Sequence, residues 1–330
     1  MTITQLKYVL AVAQYQNFTK AAEKVFVTQP TLSMQIQKLE DELDIQIFDR
    51  SKKPIELTET GKKIVNQARN IVNESDRIQD IVDQEKGYIG GEFKIGVILT
   101  VMPTLLPMFL RNFVNKYPKV KLRIEELTTD SIIDALQDGS IDAAIAATPL
   151  NNEMIKERIL YYEPFVVYDP RYAGQQKSKI KVEDLNADEL LLLEDGHCFK
   201  DSVLNLCRNT RDTEDEHFML ESGSFETLIK LADEGLGMTL LPYLNTMDLS
   251  DRKKENLRFF EDPSPAREVS LIYHQSELKL QIIDALQNVI AGVIKGAIAF
   301  SNVQIVSPIS KNRSIIHCRN DFYKITSFII

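Results

Sequence analysis

Apolar positions three and four apart dominate the first sixty residues and predict a group of short helices. Thr2 and Gln5 are spaced as a capping box ahead of Leu6, Val9, Leu10 and Ala13, which marks a first helix. A second follows Asn17-Phe18-Thr19, where Ala21, Ala22 and Val25 make a face small enough for close helix approach. Thr28 can cap a third helix, with Gln29 and Pro30 in its first turn and Leu32, Ile36, Leu39 and Leu43 turned to a core. That arrangement leaves Thr31, Ser33, Gln35 and Lys38 on its other faces. Two short extended segments around a basic turn are expected between Ile47 and Thr58. A long helix then runs from Thr58 to about Lys86. Ile64, Ile71 and Ile78 fall seven apart in it, and Ala68, Ser75 and Val82 repeat beside them. A seven-residue apolar repeat implies a partner helix, so this segment is read as a dimerising linker, ended by Gly87, Gly90 and Gly91.

Past the glycines, short apolar runs alternate with helical stretches, the pattern of α/β units. Strands are expected at Phe93 to Ile98, Leu122 to Glu126, Ile141 to Ala146, Phe165 to Tyr168, Leu190 to Leu193, Phe218 to Glu221, Met238 to Leu241 and Val269 to Tyr273. Gly139, Gly235 and Gly237 fall where helices should end, and Pro103, Pro107, Pro118, Pro164 and Pro242 are taken as helix starts or loop positions. Ala285 to Phe300 carries Gln287, Asn288 and Lys295 and reads as a helix packed on a core. The division that results is a winged helix-turn-helix over residues 1–58, a linker helix over 59–87 and an α/β effector region over 88–300. Residues 301–330 form an extension without clear period, to which no structure or role is assigned.

Composition narrows the classes. Hydrophobic residues at 44% and charged residues at 26% exclude a largely disordered chain. A net charge of −9 excludes a protein that coats nucleic acid through general cationic surface, so any DNA contact must be local. Residues 1–60 hold seven cations against eight anions, so even that region is not basic overall. Without a signal-like leader or an apolar run of membrane-spanning length, the expected place is the cytoplasm, with no membrane partner. Three cysteines in 330 residues make no disulfide framework, and no paired CxxC supports zinc; no cofactor is expected.

Two regions carry candidate chemistry. A helix-turn-helix places one helix in the major groove of double-stranded DNA, where glutamine, serine and threonine bond base edges while wing cations meet phosphates. Thr28, Gln29, Pro30, Thr31, Ser33 and Gln35 supply the first set and Arg50, Lys52 and Lys53 the second. Further on, the Leu190 to Leu193 run is followed by Glu194-Asp195-Gly196-His197-Cys198-Phe199-Lys200 and an apparent helix to about Arg208. Cys198 is thereby placed near a helix N-terminus, where the dipole, His197 and Lys200 favour a thiolate while burial opposes it. On one regular helix, Cys198 and Cys207 would stand about 13 Å apart. A disulfide needs less than about 7 Å, so bonding them requires the segment to rearrange. Thr100 and Thr129 both follow strands, at the ends where α/β ligand sites form, and two hydroxyls can hold a peroxide against a thiolate; each alone also suits a helix cap. A small metabolite between lobes, with structural cysteines, is the alternative, and an enzyme using Cys198 lacks an identifiable base or oxyanion site.

Phe18-Thr19-Lys20-Ala21-Ala22, Val27 through Ser33, Ile36 through Glu40, and Leu43 through Thr58 with Phe48-Asp49-Arg50 resemble the LysR-type transcriptional regulator signature over the whole N-terminal domain. The resemblance implies a winged helix, a dimerising helix and an effector region of two Rossmann-like lobes resembling periplasmic binding proteins. It also implies assembly as a homodimer or a dimer-of-dimers tetramer, contact with RNA polymerase and no enzymatic activity. Glu194 through Cys198 with Leu206-Cys207 is similar to the redox-active segment of hydrogen-peroxide-sensing members of that family. Ile124 through Thr129, Ser224 through Leu228, Thr239 through Pro242 and Ala266-Arg267-Glu268 add to the likeness. By position it implies Cys198 as the thiol that meets peroxide, Cys207 as the resolving thiol, and Thr100, Thr129, His197 and Arg267 as the pocket. A reversible disulfide would switch on antioxidant genes, and thiol reductants would reset it. Leu99 departs from the family's usual proline, and the chain after about Gly296 has no counterpart in the family pattern.

Overall fold

The computed structural model describes residues 1–85, 89–172, 179–186, 189–193, 202–203, 206, 224–298, 303–306 and 314–316. They group into two compact units, residues 1–88 with the 137–140 turn, and the remainder.

In the first unit, α1 (Ile3–Tyr15) begins at the Thr2–Gln5 capping box read from the sequence, α2 (Phe18–Lys24) is capped by the Asn17 side chain, and α3 (Gln29–Leu43) is capped by Thr28. Leu6, Val9, Val12, Leu32, Ile36 and Leu39 meet in one core. Leu43 does not join it: α3 stops there, at left-handed Asp44, and Leu43 stays 37% exposed. The short strands β1 (Phe48–Asp49) and β2 (Glu56–Leu57) pair antiparallel to form the wing. α4 (Glu59–Glu85) packs on α1. Its seven-residue stripe divides. Val65, Ala68 and Val72 enter the unit's own core, with Ile64 and Ile71 partly buried beside them, whereas Ile78, Ile81 and Val82 are exposed. Ala68, expected at a partner helix, is 2% exposed because its own domain already fills that side.

The wing is pressed against the start of α4. Thr58 accepts from the Gly61 amide and donates to the Gln46 carbonyl, and a Cβ on Gly61 would lie 2.0 Å from the Ile47 carbonyl oxygen. Gly61→Ala is therefore expected to destabilise this unit by about 1–3 kcal/mol. An unchanged melting temperature for the variant would show that the contact gives way without cost.

The second unit is built on a mixed sheet. β3 (Gly91–Ile98) lies parallel to both β4 (Val120–Leu127) and β5 (Ala143–Thr148). Helices α5 (Met102–Lys116) and α6 (Thr129–Gln137) make the connections. β6 (Ile155–Tyr168) then runs on for 14 residues. β7 (Leu190–Leu191), α7 (Phe225–Asp233), β8 (Met238–Pro242), α8 (Tyr243–Met247), α9 (Asp251–Lys254) and β9 (Leu257–Phe259) follow. β10 (Ser264–His274) returns antiparallel to β6 and β5, and α10 (Leu280–Ala297) covers the first lobe as read from Ala285 onward. β11 (Val303–Ile305) adds to β10, and β12 (Ser314–Ile316) to β11.

Strand order β4-β3-β5-β10-β6-β8-β7 makes β6 common to two separate cores, one around Phe93, Phe109 and Ile283, to which β10 also belongs, and one around Val167, Leu228 and Leu240. These are the two lobes. The sheet is not purely parallel, because β10 runs antiparallel to β5 and β6, and β6 antiparallel to β8 and β9.

Several expectations change. The strand at Phe165 to Tyr168 is only the end of β6; Pro164 lies inside it, where β6 leaves β10 and takes β8 and β9 as partners, so no central ladder is lost there. Pro107 lies inside α5, where its missing donor would have met Pro103 near the first turn. Pro242 ends β8. β5 begins two residues later than expected, and only Leu190 and Leu191 of the Leu190 to Leu193 run ladder with β8. Phe218 to Glu221 lies outside the described residues. The extension is not wholly structureless, since β11 and Val306 seat on β10, with Val306 N–H donating to the Ala266 carbonyl at 2.8 Å.

Candidate functional site

The first unit presents α3. Thr28, Gln29, Pro30 and Thr31 are exposed and Ser33 half-buried. Thr28 is also engaged in the fold, accepting from the Thr31 amide at 3.4 Å. Gln35 is drawn inward: its side-chain oxygen accepts from Gln5 Nε2 at 3.3 Å. In the wing, Arg50 donates to buried Glu40 at 2.7 Å and stacks over the Phe18 ring at 5.1 Å. The other oxygen of Glu40 accepts from the amides of Ile47 and Phe48, so this carboxylate anchors the base of the wing. Arg50 thus has a structural partner, while Lys52 and Lys53 stand exposed on the turn. Hydrogen bonds from the Ser51 hydroxyl and then its amide hold the Asp49 carboxyl below the usual range.

Cys198, Cys207 and His197 lie outside the described residues, as does Cys318. Around that segment, Leu193, Val203 and Leu206 are buried in the second-lobe core, and positions 202, 203 and 206 are helical, as expected for a helix following residue 198.

Thr100 and Arg267 are brought together. Thr100 follows β3 and is buried; Arg267 sits in β10, 1% exposed. Arg267 donates from Nη1 to the Thr100 hydroxyl at 2.8 Å and from Nη2 to the Thr100 carbonyl at 3.1 Å. Its Nε and Nη2 both donate to one oxygen of Glu163 in β6, at 2.9 and 2.7 Å. The second oxygen of Glu163 accepts from the Leu244 amide at the start of α8, at 2.9 Å. A charge pair this deep survives only when its lone pairs and donors are satisfied, and these bonds do that while tying β3, β6, β10 and α8 into one knot. Tyr161, two residues before Glu163 on the same strand face, has a fully buried hydroxyl without a hydrogen-bond partner among the described residues. Burial, and secondarily the Glu163 charge, push its phenol well above the usual range, with Arg267 opposing, so it stays neutral. Since the Thr100 oxygen accepts from Arg267, its own O–H points away as a donor polarised by the guanidinium.

Thr129 does not join this knot. It is the half-buried first residue of α6, and no hydrogen bond among the described residues ties it to Thr100 or Arg267. Capping of α6 falls to Thr128, whose hydroxyl accepts from the Ser131 amide at 3.3 Å. Glu163 is the member that the sequence reading missed. Its signal was there: one carboxylate within the apolar run from Leu160 to Tyr168, where an acid is buried only with a partner.

On the opposite face of β10, Glu268 accepts from the Thr148 hydroxyl at 2.7 Å, and Ser270 Oγ lies 2.6 Å from that hydroxyl. Burial first, with Glu157 adding, raises the Glu268 carboxyl above its ordinary 4.5. A carboxyl raised in the folded state makes folding weaker as pH climbs from about 4.5 through the folded value. Glu268→Gln should therefore melt higher than the parent at pH 7 and lose that advantage near pH 4; a lower melting temperature at pH 7 would contradict this.

Residues 3–62 match the model described as bacterial regulatory helix-turn-helix protein, lysR family, and residues 86–292 match the LysR substrate binding domain. The chain is 33% identical over 278 residues to a hydrogen peroxide-inducible genes activator of Pectobacterium carotovorum subsp. carotovorum, covering 83% of this chain and 90% of that one. Among solved structures, a cysteine-to-aspartate variant of full-length OxyR from Pseudomonas aeruginosa is 35% identical with a TM-score of 0.72, covering 88% of this chain and 98% of that chain. A cysteine-to-serine mutant of Corynebacterium glutamicum OxyR in the H2O2-bound form is 28% identical with a TM-score of 0.59, covering 90% and 93%.

Proposed function

The chain belongs to the LysR family of bacterial helix-turn-helix regulators, and from that premise we propose that it activates antioxidant genes in response to hydrogen peroxide. The observation that carries this reading is Thr100, held by Arg267 at the carboxyl end of β3 as a polarised hydroxyl donor, in a chain 33% identical to a hydrogen peroxide-inducible genes activator. A Cys198 thiolate attacks one peroxide oxygen, forming the S–O bond as the O–O bond breaks. The departing oxygen leaves as hydroxide and takes a proton to become water. Hydroxyl and cationic donors such as Thr100 and His197 stabilise charge on that oxygen as it develops. The Cys207 thiolate then attacks the sulfenic sulfur, expelling a second hydroxide and leaving the Cys198–Cys207 disulfide. Cellular thiols return it to two thiols.

The rest of the molecule delivers the signal. α3 enters the major groove of promoter DNA with Gln29, Pro30, Thr31 and Ser33 forward, and Lys52 and Lys53 meet phosphates. The exposed Ile78, Ile81 and Val82 of α4 give a second copy its seam. Dimers pair into a tetramer, and the disulfide changes their spacing on DNA and their contact with RNA polymerase. No helix among the described residues is long and apolar enough to cross a membrane.

The test is intact and peptide-level mass spectrometry of the reduced protein after brief, near-stoichiometric hydrogen peroxide. A Cys198–Cys207 link that dithiothreitol reverses is expected. Two surviving thiols in excess peroxide would end the redox reading and favour a metabolite bound between the lobes.

A further inference from the structure

Phe26 stands where folding alone gives no reason for it. α2 ends in a Schellman motif: the Val27 amide donates to the Ala22 carbonyl at 3.0 Å and the Phe26 amide to the Glu23 carbonyl at 3.3 Å. Phe26 therefore occupies the left-handed position of that motif, with φ of +58°, which glycine fills without steric cost and an aromatic residue does not. Its ring gains nothing in return among the described residues, being 95% exposed. A conformational cost without a folding return points to a partner. The position is two residues before Thr28, in the turn that leads into α3. Met34 is the second large apolar residue exposed on this part of the chain, at 61%. It lies four residues after Pro30 and four before Lys38, so the three share the solvent-facing stripe of α3, opposite Leu32, Ile36 and Leu39.

Resting on the reading of α3 as a DNA-recognition helix, we propose that Phe26 and Met34 form an apolar contact surface that reads thymine 5-methyl groups in the major groove. Thymine is the base that offers an apolar group there, and a flexible thioether and an exposed ring are the side chains suited to cover it. Both flank Thr28, Gln29 and Thr31, which carry the polar half of the same readout. The surface thus continues one interface and does not open another.

Full-length protein is used to select bound duplexes from a random-sequence pool at fixed salt. The enriched duplex is then rebuilt with deoxyuridine replacing thymidine one position at a time, which removes only the methyl. For the parent protein, one or more positions should weaken binding about four-fold on losing the methyl. Phe26→Gly combined with Met34→Ala should bind the thymine and uracil duplexes equally. Phe26→Gly alone should melt no lower than the parent, since glycine suits that backbone. Indifference of the parent to uracil at every position, or full discrimination kept by the double variant, overturns the proposal. A melting temperature lowered by Phe26→Gly assigns Phe26 to the fold and overturns its part. If no duplex is enriched, the DNA-binding reading itself fails and this proposal falls with it, whereas a duplex enriched without methyl sensitivity leaves that reading standing.

Discussion

Glu163→Leu is expected to cost the second unit about 3–5 kcal/mol of stability, because it takes the Glu163 carboxylate away from the buried Arg267 guanidinium. Arg267 and Glu163 are each 1% exposed, so water cannot take over the lost bonds without opening the knot between β3, β6, β10 and α8. The Leu244 amide loses its acceptor in the same variant. The double variant Glu163→Leu with Arg267→Met removes both charges and should recover much of that loss. What remains is the cost of leaving the Leu244 amide and the Thr100 hydroxyl without their partners, about 1–3 kcal/mol each. Urea titration followed by circular dichroism suits a chain that contains no tryptophan. A single variant costing under about 1 kcal/mol, or a double variant no better than the single, would show that the pair is not the keystone that its burial implies.

Cys198→Ser is expected to abolish the response to peroxide, leaving a reporter promoter at its uninduced level. A serine hydroxyl is not a thiolate at neutral pH and cannot open the O–O bond. Cys207→Ser should behave differently: Cys198 still oxidises, but without a resolving thiol it remains sulfenic and proceeds to the sulfinic state under excess peroxide. Peptide mass spectrometry distinguishes the two variants by the mass gained at Cys198. A Cys198→Ser variant that still induces the reporter would remove the thiol from the mechanism and return the effector cleft to a bound metabolite.

Much of this was readable along the chain. The capping box at Thr2 and Gln5, the Thr28 cap and the Leu32, Ile36 and Leu39 stripe are found as read. So are the existence of β3, β4 and β8 and the helix over Ala285 onward. Strand lengths were not. β6 and β10 extend far beyond the apolar runs that announce them, because Lys156, Glu157, Arg158 and Glu268 interrupt the hydrophobic signal while the ladder continues through the backbone. Among site residues, Arg267 hydrogen-bonds Thr100, Thr129 stands at the head of α6, and His197, Cys198 and Cys207 lie outside the described residues.

Sequence by itself determined what depends on neighbours a few positions away: helix periods, caps, the alternation of strand and helix, and the family signature in the first sixty residues. Tertiary structure alone decided which polar groups satisfy one another. Arg267 meets Glu163 and Thr100 from 104 and 167 residues away, and Arg50 is turned to Glu40 and Gln35 to Gln5. The α4 stripe was likewise divided between an intradomain core and an open face only once α1 was in place. Periodicity and capping arise from local backbone geometry, but a buried charge or amide takes whichever partner the folded chain brings within hydrogen-bond reach, and that choice has no local record.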